Sequence, residues 1–310
     1  MSGRVVILTG GVGGAKLVDG VVRLIGPQLV TAIVNVGDDF DHLGLRISPD
    51  IDTLLYTLAE LAHPEQGWGR RDESWQFMAA LGSLGGEDWF RLGDGDLALH
   101  VLRTLWLRDG RSLSTIIATF ARSWRIGTRI LPATDNNLAT IVETDEGTLP
   151  FQRYFVERRC EPAIHSLRFD GAQTAQPAPG VVEAILDPKA RAVLIAPSNP
   201  FLSIDPILAV PAIRSTLAKA PAPVVAVSPL VGGKAVKGPT AKIMAELGLP
   251  ASADTIARHY RGFLDGIVVD ERDPPGSIET RSIRVDTLML GADDRRRVAE
   301  AVLQFADRLR

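Results

Sequence analysis

The chain begins with a short, wholly apolar run, Val5 to Leu8, that leads into four glycines within five positions, Gly10 to Gly14. An apolar run of this length with no polar position is typical of a strand buried on both faces of a parallel sheet. From Ala15 to Val22 the apolar residues are spaced as on one face of a helix. The pattern therefore predicts a strand, a glycine turn and a helix in direct succession.

The same alternation of buried strand and amphipathic helix returns along the chain. Further strands are predicted at 30–36, 192–196, 224–227, 266–270 and 284–288. Helices are predicted at 49–61, 94–107, 113–124 and 293–309. Strands that alternate with helices form a parallel sheet with helices on its faces. The predicted fold class is α/β, with a Rossmann-like, mainly parallel sheet.

The alternation stops in the middle of the chain. After His63 the composition shifts to glycine, tryptophan and charged residues, and 171–180 is rich in Ala, Pro and Gln, as a linker is. We therefore expect a Rossmann-like nucleotide-binding core formed by 1–58 and 176–310. The segment 59–175 is predicted to be an inserted helical and hairpin subdomain.

Two features characterise the predicted insertion. Runs at 139–143 and 150–156 flank a turn at 145–147 and predict a β-hairpin. All five tryptophans also fall in the insertion: Trp68, Trp75, Trp89, Trp106 and Trp124. Some of them must be core, but a tryptophan-rich insertion that folds over the sheet edge could also hold an aromatic substrate.

Composition excludes several classes of protein. The 310 residues are 45% hydrophobic and 23% charged, as in an ordinary globular protein, and the formal net charge of −3 gives no attraction to nucleic acid or an anionic membrane. Cys160 is the only cysteine, so a disulfide framework and a multi-cysteine zinc site are excluded. No apolar run is long enough to span a membrane and no signal peptide is recognisable, so a cytoplasmic location is expected.

The glycine turn has the features of an anion site. Backbone without side chains can approach a phosphate closely, and the unpaired N–H groups at the start of a helix point toward it. The pattern Gly10-x-x-Gly13 is neither a G-x-G-x-x-G motif nor a P-loop, which ends in Lys-Ser or Lys-Thr. The residues alone thus leave the nucleotide open, and they also leave open a tight turn that binds nothing.

Four acids stand near this turn. Asp38 and Asp39 follow the second strand, while Asp50 and Asp52 lie in the first turn of the helix that Ser48 is expected to cap. Carboxylates beside a phosphate repel it unless a hard cation lies between them, and Mg²⁺ takes one or two carboxylates together with phosphate oxygens and water. The alternative is that the acids merely favour a helix N-terminus.

Three further segments are candidates for binding. Arg91 and Asp94 stand at the start of the helix at 94–107, where an arginine can contact phosphate or a flat ring and Asp94 can act as its N-cap. Ser198 and Asn199 follow the strand at 192–196. The loop after the strand at 224–227 carries two glycines and two lysines, and ordinary connections are the alternative for both loops. Those lysines are Lys234 and Lys237.

Taken together, these segments resemble the 2-phospho-L-lactate transferases of deazaflavin coenzyme F-420 biosynthesis. The resemblance runs in order from about Arg4 to Asp273 and so covers nearly the whole chain. The matching stretches are 9–16, 35–39, 48–53, 92–94, 196–200 with 203–204, and 228–239.

The resemblance implies a specific reaction. The donor is a guanosine diphosphate ester of a three-carbon acid, and the acceptor is the terminal ribityl hydroxyl of the deazaflavin Fo. That hydroxyl attacks the phosphorus bearing the acid, GMP leaves, and a phosphodiester remains. Such a transfer needs alignment and charge neutralisation more than a strong base.

The resemblance also implies residue roles and partners. The insertion would bind the acceptor, a homodimer is expected, and neither nucleic acid nor a membrane is a partner. Asp38 and Asp50 would hold Mg²⁺, and together with Asp52 they form the catalytic set. Binding of the donor and acceptor is assigned to Gly10, Gly11, Val12, Gly13, Gly14, Lys16, Asp52, Arg91, Asp94, Ser198 and Asn199.

One position departs from the family. Its members usually read Leu-Gly-Asp-Arg-Asp where this chain has Leu92-Gly93-Asp94-Gly95-Asp96. Gly95 removes a cation near the acceptor or the donor's carboxylate, so the donor acid is left open among phospholactyl, phosphoenolpyruvyl and phosphoglyceryl groups. We hypothesise that the missing arginine tracks with one of these donors.

Two other functions compete with the transferase. A dinucleotide-dependent oxidoreductase of Rossmann type would use the same glycine turn, but the acids after the second strand suit a metal better than a ribose hydroxyl. A non-catalytic nucleotide-binding regulator would not need Asp50, Asp52 and the tryptophan-rich insertion together.

Overall fold

Strands and helices alternate over most of the chain. The computed structural model describes residues 3–236 and 238–310. The strands in these residues are β1 (Arg4–Thr9), β2 (Val30–Val34), β3 (Phe40–His42), β4 (Leu45–Ile47), β5 (Arg129–Pro132), β6 (Ala139–Thr144), β7 (Gly147–Pro150), β8 (Ile164–Asp170), β9 (Ala190–Ile195), β10 (Val224–Val227), β11 (Leu230–Val231), β12 (Lys234–Ala235), β13 (Gly266–Asp270) and β14 (Arg281–Val285).

The helices differ widely in length. The α-helices of the described residues are α1 (Gly11–Ile25), α2 (Pro49–Leu58), α3 (Gln76–Ser83), α4 (Asp94–Arg108), α5 (Leu113–Ser123), α6 (Val181–Ile185), α7 (Asp205–Leu208), α8 (Pro211–Leu217), α9 (Thr240–Glu246), α10 (Ala253–His259) and α11 (Ala292–Leu309). None of these helices is both long enough and apolar enough to cross a membrane.

A seven-stranded sheet in the order β14-β13-β10-β9-β1-β2-β5 forms the centre of the molecule, and every neighbouring pair in it is parallel. The chain builds outward from β1 through β2 to β5 in one direction and from β9 through β10 and β13 to β14 in the other. The point where the direction reverses lies between β1 and β9. The predicted α/β class with a Rossmann-like, mainly parallel sheet is confirmed.

The apolar pattern of β1 explains its central place. Val5, Ile7 and Leu8 are fully buried, as a strand covered on both faces requires. Helix α1 packs along α11, and the contact is close enough that Gly20 of α1 lies directly against the backbone carbonyl of Arg295.

The predicted insertion contributes to the central sheet. Strand β5 falls inside 59–175, yet it pairs in parallel with β2, with Thr31 opposite Arg129. Three antiparallel strands, β7-β6-β8, form a separate small sheet. The boundaries proposed for the core and the insertion stay a prediction.

Two predicted strands are displaced. The second hairpin strand is β7, and the run predicted as a strand at 150–156 turns into helix after Pro150, including a π-helix at Arg153–Glu157. Phe151 and Tyr154 are buried three residues apart, which is a helical and not an alternating spacing. The last strand lies at Arg281–Val285 instead of 284–288.

Candidate active site

The loops that follow β1 and β9 lie against each other where the sheet reverses direction. Ser198 Oγ donates to the carbonyl oxygen of Gly10 at 2.7 Å, and the Gly10 N–H donates to Ser198 Oγ at 3.2 Å. In open α/β sheets, ligands bind at the carboxyl ends of the strands at such a point. The fold thus brings together two predicted binding segments that are 188 residues apart.

Three glycines of the turn are required by close packing within the protein. A Cβ on Gly10 would lie 2.4 Å from Asp50 Oδ2, one on Gly13 would lie 2.6 Å from the Pro197 carbonyl oxygen, and one on Gly14 would lie 2.2 Å from Thr9 Oγ1. Gly11 has a φ of +64°, which side chains rarely adopt. Close packing against β1, α2 and the loop after β9 therefore explains these glycines, independently of any phosphate.

Asn199 presents an unused donor at this junction. Its Oδ1 accepts the backbone N–H groups of Phe201 and Leu202 at 3.0 and 3.1 Å. Its Nδ2 is buried and has no hydrogen-bond partner in the described part of the chain. A buried donor without an acceptor is costly, so an oxygen of a bound ligand would complete the bonding of Asn199.

Asp50 is bound to the start of α1. Its Oδ1 accepts the Gly11 N–H at 2.8 Å, and its Oδ2 accepts Asn35 Nδ2 at 2.9 Å. Burial raises the pKa of Asp50 to about 6, although these two hydrogen bonds oppose the rise. Because Asp50 accepts the Gly11 N–H, its carboxylate lies at the N-terminus of α1, where the helix dipole favours a negative charge.

Asp38 is the least compensated acid of the site. Burial raises its pKa well above the usual range, and the neighbouring charge of Asp50 raises it further. Its Oδ1 is buried, and no hydrogen-bond donor reaches it from residues 3–236 or 238–310. Asp38 and Asp50 are thus close enough to repel each other, and one oxygen of Asp38 lacks a partner.

The pair Asp38 and Asp50 fits the predicted magnesium ion. A divalent cation would compensate both the burial and the mutual repulsion of the two carboxylates, and it would supply the missing partner of Asp38 Oδ1. No group of three or more His, Cys, Asp or Glu side chains among the described residues is arranged to hold a metal. A magnesium ion at Asp38 and Asp50 would therefore need phosphate or water oxygens to complete its coordination.

Ser48 stands at the N-cap position of α2, as predicted, but its side chain does not accept a hydrogen bond from the helix. Its hydroxyl instead donates to Asp39 Oδ2 at 2.7 Å. Burial raises the pKa of Asp39 to about 7, against the opposing charge of Arg46 and the Ser48 hydrogen bond. Ser48 therefore joins the loop after β2 to the start of α2, and so holds Asp38 and Asp50 in a fixed relation.

Asp52 lies in a buried ion pair that the sequence did not predict. Arg103 of α4 is fully buried and donates from both terminal nitrogens to the two carboxylate oxygens of Asp52. His100 Nδ1 lies 3.7 Å from Asp52 Oδ2. The first turn of α2 is thereby attached to α4 through charged groups removed from water.

The same network extends to the start of α4. Asp96 Oδ2 lies 3.1 Å from His100 Nε2, and Asp96 Oδ1 accepts the Tyr56 hydroxyl. The signal in the sequence was the spacing of Asp96, His100 and Arg103, which places three polar groups on one face of a helix. That spacing does not indicate which residues of other elements this face meets.

Arg91 and Asp94 belong to a different part of the site. Asp94 accepts Ser74 Oγ at 2.6 Å and the N–H groups of Gln76 and Phe77 at 3.0 Å. It therefore caps α3, and the N-cap position of its own helix is Gly93. The predicted capping of α4 by Asp94 is wrong. The guanidinium of Arg91 lies 4.3 Å from the ring centroid of Trp75, the N-cap residue of α3.

Val12 and Lys16 line a cavity of about 330 Å³ beside α1. Lys16 Nζ donates to the carbonyl oxygen of Met289 at 2.6 Å. Residues between Thr57 and Arg71 line the other side of the cavity. Of these two predicted binding residues, Val12 thus lies in the first turn of α1 beside the Gly10 junction, and Lys16 lies about one turn further along the helix.

The loop after β10 forms the small hairpin of β11 and β12. Asp273 Oδ1 accepts the Gly233 N–H at 2.8 Å and so fixes the turn, and Lys234 is exposed. Lys237, the second cation proposed for this loop, lies outside the described residues.

Known proteins resemble this chain over its whole length. The model of the family "2-phospho-L-lactate transferase CofD" matches residues 5–305. A protein named phosphoenolpyruvate transferase from Streptomyces griseus is 40% identical over 99% of both chains. Proteins of the same name from Kitasatospora aureofaciens and a Mycobacterium strain are 41% and 39% identical over 99% and 96% of both chains.

Solved structures share the fold. A crystal structure of a UPF0052-family protein from Bacillus halodurans has a TM-score of 0.63 and 17% identity, and it covers 97% of this chain and 100% of its own. At this identity the similarity is one of architecture. The family model and the curated relatives carry the identification: the chain belongs to the 2-phospho-L-lactate transferase family, a family of transferases in coenzyme F-420 biosynthesis.

Proposed function

We propose that the protein transfers a phosphoenolpyruvyl group from a GDP-linked donor to the terminal ribityl hydroxyl of the deazaflavin Fo, with release of GMP. The choice of donor acid is supported by the name phosphoenolpyruvate transferase, which relatives 38–41% identical to this chain carry. Family membership also favours a transferase over an oxidoreductase or a regulator.

The observation that carries the proposal is the incomplete bonding at the reversal point of the sheet. Asp38 Oδ1 and Asn199 Nδ2 are both buried without partners among the described residues, one an acceptor and the other a donor. A metal-bound diphosphate offers both complements, a cation for the carboxylate and oxygens for the amide. The glycine turn and Ser198 form the wall beside them.

Asp38 and Asp50 would hold the magnesium ion, which when bound neutralises charge on the diphosphate. The acceptor hydroxyl attacks the phosphorus that carries the three-carbon acid, and its proton passes to solvent or to the departing phosphate of GMP. The bond from that phosphorus to the oxygen of GMP breaks, so GMP leaves with the bonding electrons. Asn199 and the Gly10 junction would orient the donor, since alignment supplies much of the rate in such transfers.

Asp52 has a positioning role in this proposal. Both of its carboxylate oxygens accept from the fully buried Arg103, so Asp52 fixes the first turn of α2, which carries Asp50. Contact of Asp52 with the acceptor, which the resemblance implies, stays a prediction. The expected homodimer and cytoplasmic location also stay predictions.

The test is a side-by-side assay of three donors. Purified protein is incubated with Fo, Mg²⁺ and the GDP-linked phospholactyl, phosphoenolpyruvyl or phosphoglyceryl donor, and products are measured by mass spectrometry. The phosphoenolpyruvyl adduct of Fo, formed together with equimolar GMP, is expected to accumulate fastest. Preference for another donor would refute the assignment of the acid, and no product from any donor would refute the transfer reaction.

A further inference from the structure

Asn35 is a fully buried amide directly after β2, between the apolar residues Val34 and Val36. Its backbone N–H donates to the carbonyl oxygen of Thr9 at 3.0 Å, so Asn35 lies beside the end of β1. Burying an amide costs free energy unless its polar atoms find partners. The partners of the Asn35 side chain therefore indicate why an amide occupies this position.

Both polar atoms of this side chain form hydrogen bonds. Nδ2 donates to Asp50 Oδ2 at 2.9 Å and to the carbonyl oxygen of Leu202 at 3.3 Å. Oδ1 accepts the N–H of Gly37 at 2.7 Å. Because the Gly37 N–H can only donate, these partners fix which end of the amide faces Asp50.

Each of these partners belongs to the candidate active site. Asp50 is one of the two proposed magnesium ligands, and Gly37 directly precedes the other, Asp38. The N–H of Leu202 donates to Oδ1 of Asn199, the residue whose Nδ2 would meet a ligand oxygen. One side chain thus joins the loop after β2, the first turn of α2 and the turn after β9.

The loop that carries Asp38 is also held by the segment that forms the small antiparallel sheet. The N–H of Thr140 in β6 donates to the carbonyl oxygen of Gly37 at 2.7 Å. Gln152 Nε2, just after β7, donates to the carbonyl oxygen of Asp38 at 3.2 Å. The position of this loop is therefore fixed, and a bond from it to α2 fixes the second acid relative to the first.

We propose that Asn35 is a positioning residue of the magnesium site, which holds the Asp50 carboxylate in the orientation that a cation shared with Asp38 requires. The inference rests on the proposed function, since it assigns the support of that metal site. Polar groups behind metal ligands orient the ligands. Asn35 acts through the acids, because its Nδ2 can only donate and its Oδ1 is bound to Gly37.

The first experiment measures metal binding apart from turnover. The affinity for Mn²⁺, a cation that takes the same oxygen ligands as Mg²⁺, is measured by electron paramagnetic resonance with and without GDP. The proteins compared are the wild type, Asn35→Ala and Asn35→Leu. Loss of a group that orients a metal ligand costs about 10- to 100-fold in metal affinity, and both variants are expected to show this loss. Alanine leaves a cavity and leucine fills it, so a defect shared by both reports the lost hydrogen bonds.

The second experiment separates positioning from a general loss of stability. In steady-state assays, Asn35→Ala is expected to raise the magnesium concentration for half-maximal rate by about 10- to 100-fold, with little change in the KM for Fo. Asp307→Asn is the matched control. Asp307 Oδ2 pairs with Arg191 at 2.7 Å at the start of β9, whereas the site lies beyond the end of that strand. Asp307→Asn is therefore expected to lower thermal stability and to leave metal affinity unchanged.

The outcomes separate the inference from the function beneath it. Circular dichroism and thermal unfolding first establish which variants are folded. A folded Asn35→Ala or Asn35→Leu protein with wild-type affinity for Mn²⁺ would overturn the role of Asn35 and leave the transfer reaction standing. Lowered stability with unchanged metal affinity would also overturn it, because the amide would then be merely structural. A wild type that binds no Mn²⁺, with or without GDP, would overturn the proposed magnesium site itself.

Discussion

The carboxylate of Asp50 occupies a place where a ligand phosphate is often found, since it accepts an N–H group at the start of α1. The protein thus supplies its own anion to this helix. Any phosphate bound nearby meets a negative charge, and a cation is needed between them. Asp38, with its unpartnered Oδ1, is placed to share that cation.

Replacing Asp38 with asparagine is expected to lower activity without lowering stability. Turnover should fall at least about 100-fold, as for loss of a main electrostatic group, because one of two proposed magnesium ligands is removed. Thermal stability without metal should stay equal or rise, since a buried charge that Asp50 repels is neutralised. Steady-state assays over a magnesium titration and thermal unfolding in a chelator measure the two effects.

Asp41→Asn is the matched control for this experiment. Asp41 lies three residues away, and its side chain is 73% exposed. Its variant should keep both turnover and magnesium dependence. Normal magnesium-dependent turnover in Asp38→Asn would contradict the assignment of Asp38 as a ligand.

Local signals in the sequence identify candidate acids but not the residues that pair with them. Asp38 and Asp50 are candidates because one follows a strand and the other opens a helix. Arg103 was missed because its partner Asp52 lies 51 residues away, and their contact depends on how α4 packs against α2. The contact of Arg70 with the carbonyl oxygen of Gly95 was missed for the same reason, since Arg70 lies 25 residues away in a different segment.

At the scale of elements, the local patterns located the five longest helices but not the contacts of the polar side chains at their starts. Ser48 stands at the N-cap position of α2, yet its side chain binds Asp39. Asp94 is the first residue of α4, and its side chain caps α3 instead. A polar side chain at a helix start has competing partners once the elements pack. The helical run after Pro150 was misread because aromatic residues favour strands when spacing is ignored.

Two glycine substitutions are expected to have opposite effects on stability. Gly20→Ala would place a Cβ 2.2 Å from the backbone carbonyl oxygen of Arg295. Overpacking against backbone costs about 3 kcal/mol and outweighs the helix gain of about 1 kcal/mol. Gly82→Ala meets no atom within 4 Å in α3, so only the gain of about 1 kcal/mol remains.

Urea unfolding of both variants measures these free energies. Because the two changes add the same methyl group, the difference between them reports the contact of α1 with α11. A stable Gly20→Ala protein would show that these helices separate without cost.

At the scale of the whole molecule, the sheet was predictable but its strand order was not. Buried apolar runs identify strands wherever both faces are covered, as in β1 and β9. Which strands become neighbours depends on long-range packing, so local patterns did not predict that β5, inside the predicted insertion, pairs in parallel with β2. The reversal between β1 and β9, which assembles the site, is visible only in the folded molecule.

The free energy of unfolding at low pH is expected to depend on the carboxylate of Asp270, at the end of β13. Burial alone would raise its pKa, but hydrogen bonds from Arg272 and Thr287 outweigh it and hold the pKa well below the usual range. A carboxyl group whose pKa is lower in the folded than in the unfolded state stabilises the protein at pH values above its unfolded pKa of about 3.9. This stabilisation is lost progressively as the pH falls from that value toward the folded pKa. Asp270→Asn should cost about 3 kcal/mol at pH 7, and the loss should shrink below about pH 4.

Urea unfolding at several pH values from 7 to 3 measures this dependence. Asp293→Asn, at an exposed position in the first turn of α11, is the control and should change stability little at any pH. A loss from Asp270→Asn that is the same at every pH would contradict the linkage.

The neighbourhood of β1 and β9 also constrains how the chain folds during synthesis. Val5 pairs with Val30 on one edge and with Ala192 on the other. At typical translation rates the second partner is synthesised roughly 10 to 40 s after the first strand. During this interval an apolar strand has an open edge, and such edges recruit other chains. The arrangement that forms the binding crevice therefore leaves one edge of β1 without its partner until the C-terminal half of the chain has been made.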